Sequence, residues 1–184
     1  QEAISRAKAQ IEAKNPDLEN KDQIAQAVGV GAVKFYDLKT DRRNGYDFDL
    51  EAMVSFEGET GPYVQYSAAR ANSILEKNDF YLKLDNIDIS KVSNYKMNID
   101  ELSLIKSIYK FEDILLDSAK KYEPSILARY ITEVAKLFNK FYNSCPINNQ
   151  EENIKEFRLV LTYCTRLLIE IGLGLLGMDT PKKM

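Results

Sequence analysis

Apolar residues return at intervals of three and four along most of this 184-residue chain, and that recurrence decides what it can fold into. Leu127, Ile131, Val134, Phe138 and Phe141 form one such series; Val64, Ala68, Ala71 and Leu75 form another. Residues so spaced share one face of an α-helix, and a helix with one apolar face must bury it against its neighbours. With only 8 Gly and 5 Pro, turns are few and long helices are expected. The pattern therefore predicts an all-α fold, an antiparallel helical bundle around one core.

The breaks in the pattern place the helices. Ile4, Ala7 and Ile11 mark a first helix over residues 1–14, which Asn15-Pro16 stops because the residue before proline disfavours the helical region. Asp22 is the expected cap of a second, with Ile24, Val28, Ala32 and Phe35 inward. Gly29 and Gly31 lie inside it. The block Val28-Gly-Val-Gly-Ala32 lacks the strand, the third Gly and the Lys-Ser/Thr of a phosphate loop, so close helix packing is the expected use of its glycines. A polar connector, Lys39–Gly45, leads to a short helix from about Leu50 to Phe56. Arg42 and Arg43 in that connector fit contact with a polyanion, but a solvated loop is the commoner use of such charges. Thr60 caps a helix running to Lys77, with Pro62 in its first turn, where a missing N–H costs nothing. Residues 78–97 show no period and are expected to form a long loop. Three further helices are expected: Glu101 to Lys121, capped by Asp100, then Ile126 to Tyr142, then Glu151 to Gly172. Their inward residues are expected to be Leu102, Ile105, Ile108, Leu115 and Ala119, then the Leu127 series, then Phe157, Val160, Leu161, Cys164, Leu168 and Ile171.

Composition removes several functions. There is no His, so no Ser–His or Cys–His catalytic unit exists. With Cys145 and Cys164 as the only thiols, a structural zinc site has too few soft ligands. The sequence permits a disulfide between them, although two small buried hydrophobes in a reducing compartment is the commoner arrangement. No apolar run is long enough for a membrane span, and Gln1-Glu-Ala-Ile-Ser-Arg6 opens an amphipathic helix rather than a leader peptide. The expected location is cytoplasmic. A start without Met points to a piece of something longer. The net charge of −3 argues against a generic polyanion binder. That charge is uneven: residues 1–60 carry 8 basic and 12 acidic side chains, residues 61–184 carry 17 and 16.

Tyr63, Tyr66 and Arg70 share one stripe of the helix that Thr60 opens. Two phenols and a guanidinium on one face can stack on bases and hold a phosphate. On spacing alone, half-buried packing is the commoner use of such residues.

Three separated blocks resemble a known family. They are Ile24–Leu38 with Tyr46-Asp-Phe-Asp and Met53–Tyr66; Leu127–Pro146; and the ending Gly172-Leu-Gly-Leu-Leu-Gly-Met-Asp-Thr-Pro-Lys-Lys-Met184. In this order they resemble the C-terminal third of arginyl-tRNA synthetase, a class I enzyme, with its DALR-type anticodon-binding domain. The resemblance implies two parts: residues 1–57, the last helices of the catalytic region, and residues 58–184, an all-helical anticodon-binding bundle. It implies tRNA-binding roles for Tyr63, Tyr66, Arg70, Asn139, Tyr142, Asn143, Lys183 and Met184. The implied partners are the anticodon stem-loop of arginine tRNA and the N-terminal catalytic domain of a parent protein. ATP with Mg would serve that parent; no cofactor, metal or catalytic residue is expected in this piece, which should not aminoacylate alone. Three positions depart from the family: Ser67-Ala-Ala69 and Ser125 stand where it usually carries His, and Lys182-Lys183 where Glu/Tyr-Arg is common. The competing expectation is a helical packing or assembly domain without RNA contact, its tyrosines turned into the core. A free-standing enzyme ranks below both, because no two carboxylates fall in an apolar setting.

Overall fold

The computed structural model describes residues 1–83 and 95–184, and among them the backbone is helical wherever the apolar period runs unbroken. These residues form nine helices and no strands: α1 (Glu2–Lys14), α2 (Lys21–Lys39), α3 (Leu50–Val54), α4 (Gly61–Lys77), α5 (Phe80–Lys83), α6 (Ile99–Tyr109), α7 (Phe111–Lys121), α8 (Pro124–Ser144) and α9 (Glu152–Leu175). None is long and apolar enough to cross a membrane.

The helix starts follow from local chemistry. The Thr60 hydroxyl accepts the Tyr63 N–H at 3.2 Å, with Pro62 in the first turn of α4. Asp49 caps α3 by accepting from Ala52, and Glu123 caps α8 by accepting from Ser125. Glu151 and Glu152 stand at the positive end of α9. Two expected caps are displaced. Asn98, not Asp100, opens α6, because its side chain and that of Glu101 satisfy each other's backbone N–H groups in a capping box. Asn20, not Asp22, precedes α2; Asp22 sits in the first turn and pairs with Lys8 at 2.7 Å.

The helix expected over Glu101–Lys121 is two. Lys110 ends α6 and begins α7, and its N–H reaches the Ser107 carbonyl instead of continuing the α-helical ladder. The buried positions shift with the break. Leu104 and Ser118 are buried, whereas Leu102 and Ala119, expected inward, are exposed. In α9 the buried residues are Arg158, Leu159, Leu161, Thr162, Thr165, Leu168, Ile169, Gly172 and Leu173, and Ile171 is 41% exposed. The loop expected over 78–97 is interrupted by α5; its residues 84–94 lie outside the described ones.

Packing divides into three contiguous apolar clusters. The main one takes Val64, Ala68 and Ala71 from α4, the full Leu127–Phe141 series from α8, and Leu161 to Leu173 from α9. A second joins Ala7 and Ile11 of α1 to Ala25 and Val28 of α2, with Phe56, and reaches Tyr66 and Met184 at its edge. The third collects Leu75, Phe80, Ile147 and Leu159. A Cβ on Gly29 would stand 2.6 Å from the backbone of Ile4, so α1 and α2 meet backbone to backbone there.

One buried ion pair ties α6 to α9. Arg158 Nε donates to Glu101 Oε1 at 2.7 Å, its Nη2 donates to the Tyr95 hydroxyl at 2.9 Å, and its Nη1 donates to the Pro146 carbonyl just past α8. Arg158→Met should lose about 3–5 kcal/mol in urea denaturation, because it strands a buried carboxylate; Arg158→Met with Glu101→Leu should lose less than the sum of the two single changes. In the same assay Gly29→Ala should lose about 1–3 kcal/mol by overpacking against backbone. Gly174→Ala, whose Cβ meets nothing within 4 Å, should gain about 0.5–1 kcal/mol.

Candidate nucleic-acid interface

Tyr66 and Arg70 stand one turn apart on α4, and Asn139 and Tyr142 one turn apart near the end of α8. Because α4 packs on α8, the two pairs face each other. The Arg70 guanidinium carbon lies 4.8 Å from the Tyr66 ring centroid and 5.7 Å from that of Tyr142. A flat cation is thus held between two aromatic faces. Its Nη1 donates to Asn139 Oδ1 at 2.6 Å. The Asn139 amide nitrogen in turn donates to the Tyr63 hydroxyl at 2.9 Å and to Ser67 Oγ at 3.0 Å. One amide therefore fixes the guanidinium and ties α8 to two positions of α4.

Two clefts open beside Arg70. The smaller, about 270 Å³, lies between Asn15, Tyr66, Ser73, Lys183 and Met184. The larger, about 620 Å³, lies between Lys77, Tyr142, Asn143, Asn148 and Asn149. The first exists because the C-terminal segment folds back along α2 and α4. Lys34 donates to the Gly177 carbonyl at 2.7 Å, Gln65 to Asp179 at 2.7 Å and Asn72 to Lys182 at 3.3 Å. These three bonds lay Met184 against the α1–α2 cluster beside Tyr66.

The structure brings together most of the residues named from sequence. Tyr66, Arg70, Lys183 and Met184 line the smaller cleft; Arg70, Tyr142 and Asn143 line the larger. Asn139 acts behind them as the clamp on Arg70. Tyr63 lines neither cleft: its ring packs against the main core and its hydroxyl accepts from Asn139. None of the three tyrosines is fully buried: Tyr63 and Tyr66 pack half-buried against the apolar clusters, and Tyr142 is 41% exposed. Ser67, at a position where His is usual, carries part of the Asn139 network.

Two contributors were missed. Lys14, at the end of α1, has its ammonium 4.8 Å from the Phe56 ring and 5.8 Å from Tyr66, on a contact that spans the chain and leaves no mark in sequence. Asn148 and Asn149 follow α8 in a linker whose run of amides was a visible signal.

The two cysteines are not poised as nucleophiles. Cys145 and Cys164 are free, the first fully buried and the second half-buried, and burial pushes both thiols up, away from the reactive thiolate. Gly29 and Gly31 are mid-helix residues packed on Ile4 and Gln65, so the glycine block of α2 cannot cradle a phosphate. Among the described residues, no three His, Cys, Asp or Glu side chains converge as metal ligands would.

Comparison with known proteins gives this geometry a family. Thermus thermophilus arginyl-tRNA synthetase matches 100% of this chain and 31% of its own, with a TM-score of 0.88 and 34% identity. Arginyl-tRNA synthetase from Plasmodium falciparum matches 100% of this chain and 32% of its own, with a TM-score of 0.79 and 29% identity. An arginine–tRNA ligase from Streptococcus pneumoniae is 54% identical over all 184 residues, which are 31% of its length. The bundle around α4, α8 and α9 is therefore the all-helical anticodon-binding type of fold found in class I synthetases. The chain belongs to the DALR anticodon binding domain family, which matches residues 64–184. Residues 1–50 match the catalytic domain of class I (R) tRNA synthetases. The chain spans about a third of the length of the relatives it matches.

Asn139→Ala should remove three hydrogen bonds at once and leave Arg70 without its oxygen acceptor. The expected loss is about 1–3 kcal/mol in chemical denaturation, with Asn139→Asp, which keeps the acceptor for Arg70, losing less.

Proposed function

We propose that this chain is the tRNA-binding part of an arginine–tRNA ligase and that the two clefts around Arg70 receive the anticodon loop of arginine tRNA. The observation that carries the reading is the Tyr66–Arg70–Tyr142 sandwich, set between two clefts in a chain of the DALR family. Unpaired bases are bound by stacking on aromatic or guanidinium planes and read at their edges by hydrogen bonds. Tyr142 is 41% exposed on the lining of the larger cleft, where its ring can stack, and Asn143, Asn148 and Asn149 supply amide donors and acceptors around it. Arg70, Lys77 and Lys183 bring positive charge to the rims, where loop phosphates pass. Tyr63 and Asn139 position these groups and touch no base. The tail residue Met184 offers an apolar surface to a base entering the smaller cleft.

In this reading residues 1–57 are the end of the catalytic region, and residues 58–184 are the anticodon-binding bundle. Activation of arginine with ATP and Mg, and its transfer to tRNA, belong to the remainder of the parent protein. No residue of this chain is assigned a catalytic role. Its contribution is to hold the tRNA so that the reacting end is placed correctly.

Binding of arginine tRNA to the 184-residue chain tests the proposal. Tyr142→Ala should weaken binding about 5- to 150-fold, the loss of one stacking contact of roughly 1–3 kcal/mol, and Arg70→Ala should weaken it several-fold by removing a rim charge and the group that holds the Tyr142 ring. Tyr109→Ala, on α6 and 87% exposed, should leave it unchanged. Equal affinity in all three variants would place the RNA elsewhere. No preference over a non-cognate tRNA would return the chain to a purely structural role.

A further inference from the structure

A second cationic cleft lies where the connector after α2 meets the start of α8. It measures about 430 Å³ and is lined by four cations, Arg42, Arg43, Lys121 and Arg129, and two carboxylates, Asp41 and Glu123. Both carboxylates are engaged. Asp41 accepts from Arg43 Nε and Nη2 at 2.9 and 2.7 Å, which holds its carboxyl well below the ordinary range. Glu123 caps α8 through the Ser125 N–H and lies 3.8 Å from Arg42 Nε. The guanidinium groups are anchored too. Arg42 Nη1 donates to the Tyr122 carbonyl at 2.7 Å, and Arg129 donates Nε and Nη2 to Ser125.

These anchors leave donors to spare. Each guanidinium has five N–H bonds, and none of the contacts above uses Arg42 Nη2, Arg43 Nη1 or Arg129 Nη1. Guanidinium groups already fixed in place lose little side-chain freedom when an anion arrives, and their flat forks match phosphate oxygens. Lys121 pairs with Asp117 at 2.9 Å across one turn of α7, and the lining residues by themselves carry an excess of two positive charges, so that even with this pair counted one positive charge faces an arriving phosphate.

The position of the cleft says which phosphate. Arg129, Lys136 and Asn143 stand seven apart on α8, so they share one face of that helix. At 1.5 Å per residue, Arg129 lies about 20 Å from Asn143, which borders the larger cleft beside Tyr142. Lys136 lies between them, paired with Glu59 at 2.6 Å. One face of α8 thus connects the two sites. We propose that Arg42, Arg43, Lys121 and Arg129 grip a backbone phosphodiester of the same RNA whose bases meet Tyr142, with the strand running along α8. This rests on the RNA-binding reading above, and adds to it a contact that carries affinity but no sequence information.

Salt dependence separates the two. For the intact 184-residue chain and arginine tRNA, Arg42→Gln with Arg43→Gln should weaken binding several-fold. It should also make the slope of log K against log salt shallower by about 0.7–0.9 for the one phosphate lost. Tyr142→Ala should weaken binding with the slope unchanged. Lys121→Gln, at an exposed position, should change the slope in the same direction even if the double variant unfolds. A second arm titrates inorganic pyrophosphate and follows the arginine Nε–Hε signals by NMR; those of Arg42 and Arg43 should shift in the wild type. If the wild type binds no RNA, the RNA-binding reading falls. If it binds and the slopes of both cationic variants are unchanged, this proposal falls. Pyrophosphate binding together with unchanged slopes would make the cleft a site for free phosphate and overturn the RNA assignment.

Discussion

Helix α2 can touch α1 on one side and α4 on the other only because glycines stand at the crossings. A side chain on Gly29 would run into the backbone of Ile4. Two residues on, a Cβ at Gly31 would meet Gln65 Nε2 at 2.9 Å, and one at Gly61 would meet Phe35 Cβ at 2.9 Å and the Gly31 carbonyl at 3.0 Å. Glycine inside a helix costs about 1 kcal/mol of helix stability. Here that cost is offset by the close approach it permits, which brings Ala7, Ile11, Ala25, Val28 and Phe56 into one dry cluster.

The candidate interface depends on this crossing. Gln65 is fully buried at it and spends its amide N–H groups on the Ala27 and Asp179 carbonyls. The second of these holds the C-terminal segment against α2, and the segment then delivers Lys183 and Met184 to the smaller cleft. Lys14 and Asn15 reach the same place from α1. The cleft is thus composite, built from the segment that matches a catalytic domain, the bundle and the tail. No physical gap separates residues 1–57 from the remainder, since α2 packs on both α4 and α8.

How far the sequence showed this depends on what each element buries. In α8 the series read from spacing, Leu127, Ile131, Val134, Phe138 and Phe141, is wholly buried, and the small or polar residues buried beside it, Ser125, Ala128, Thr132 and Ala135, do not interrupt its period. In α9 the buried row contains Thr162 and Thr165, whose hydroxyls donate to the Arg158 and Leu161 carbonyls of their own helix. A hydroxyl satisfied by its own backbone can be buried without a partner elsewhere, so two polar letters hid the core face and Ile171 was read as inward. The split at Lys110 had no proline or glycine to announce it. The aromatic–cation face was visible as Tyr63, Tyr66 and Arg70 on one helix, but spacing could not tell packing from contact. Asn139 and Tyr142, brought across from α8, separate the roles: Tyr63 is tied into the scaffold, while Tyr66 and Arg70 border the clefts.

The same geometry limits what an incoming base can do. Arg70 is half-buried, stacked on two rings and bonded to Asn139, so dislodging it would forfeit all three contacts. Tyr142 is the most exposed of the three tyrosines, and on the proposed reading a base placed on its ring adds to the existing stack instead of replacing part of it. Stacking tolerates every base because each has a π-face. On the proposed reading, discrimination comes from groups that reach a base edge, and in the larger cleft those are the amides of Asn143, Asn148 and Asn149, since Arg70 is already committed and Lys77 donates without directional preference. A rigid stacking platform edged by asparagines is suited to selecting a loop by shape and hydrogen bonds.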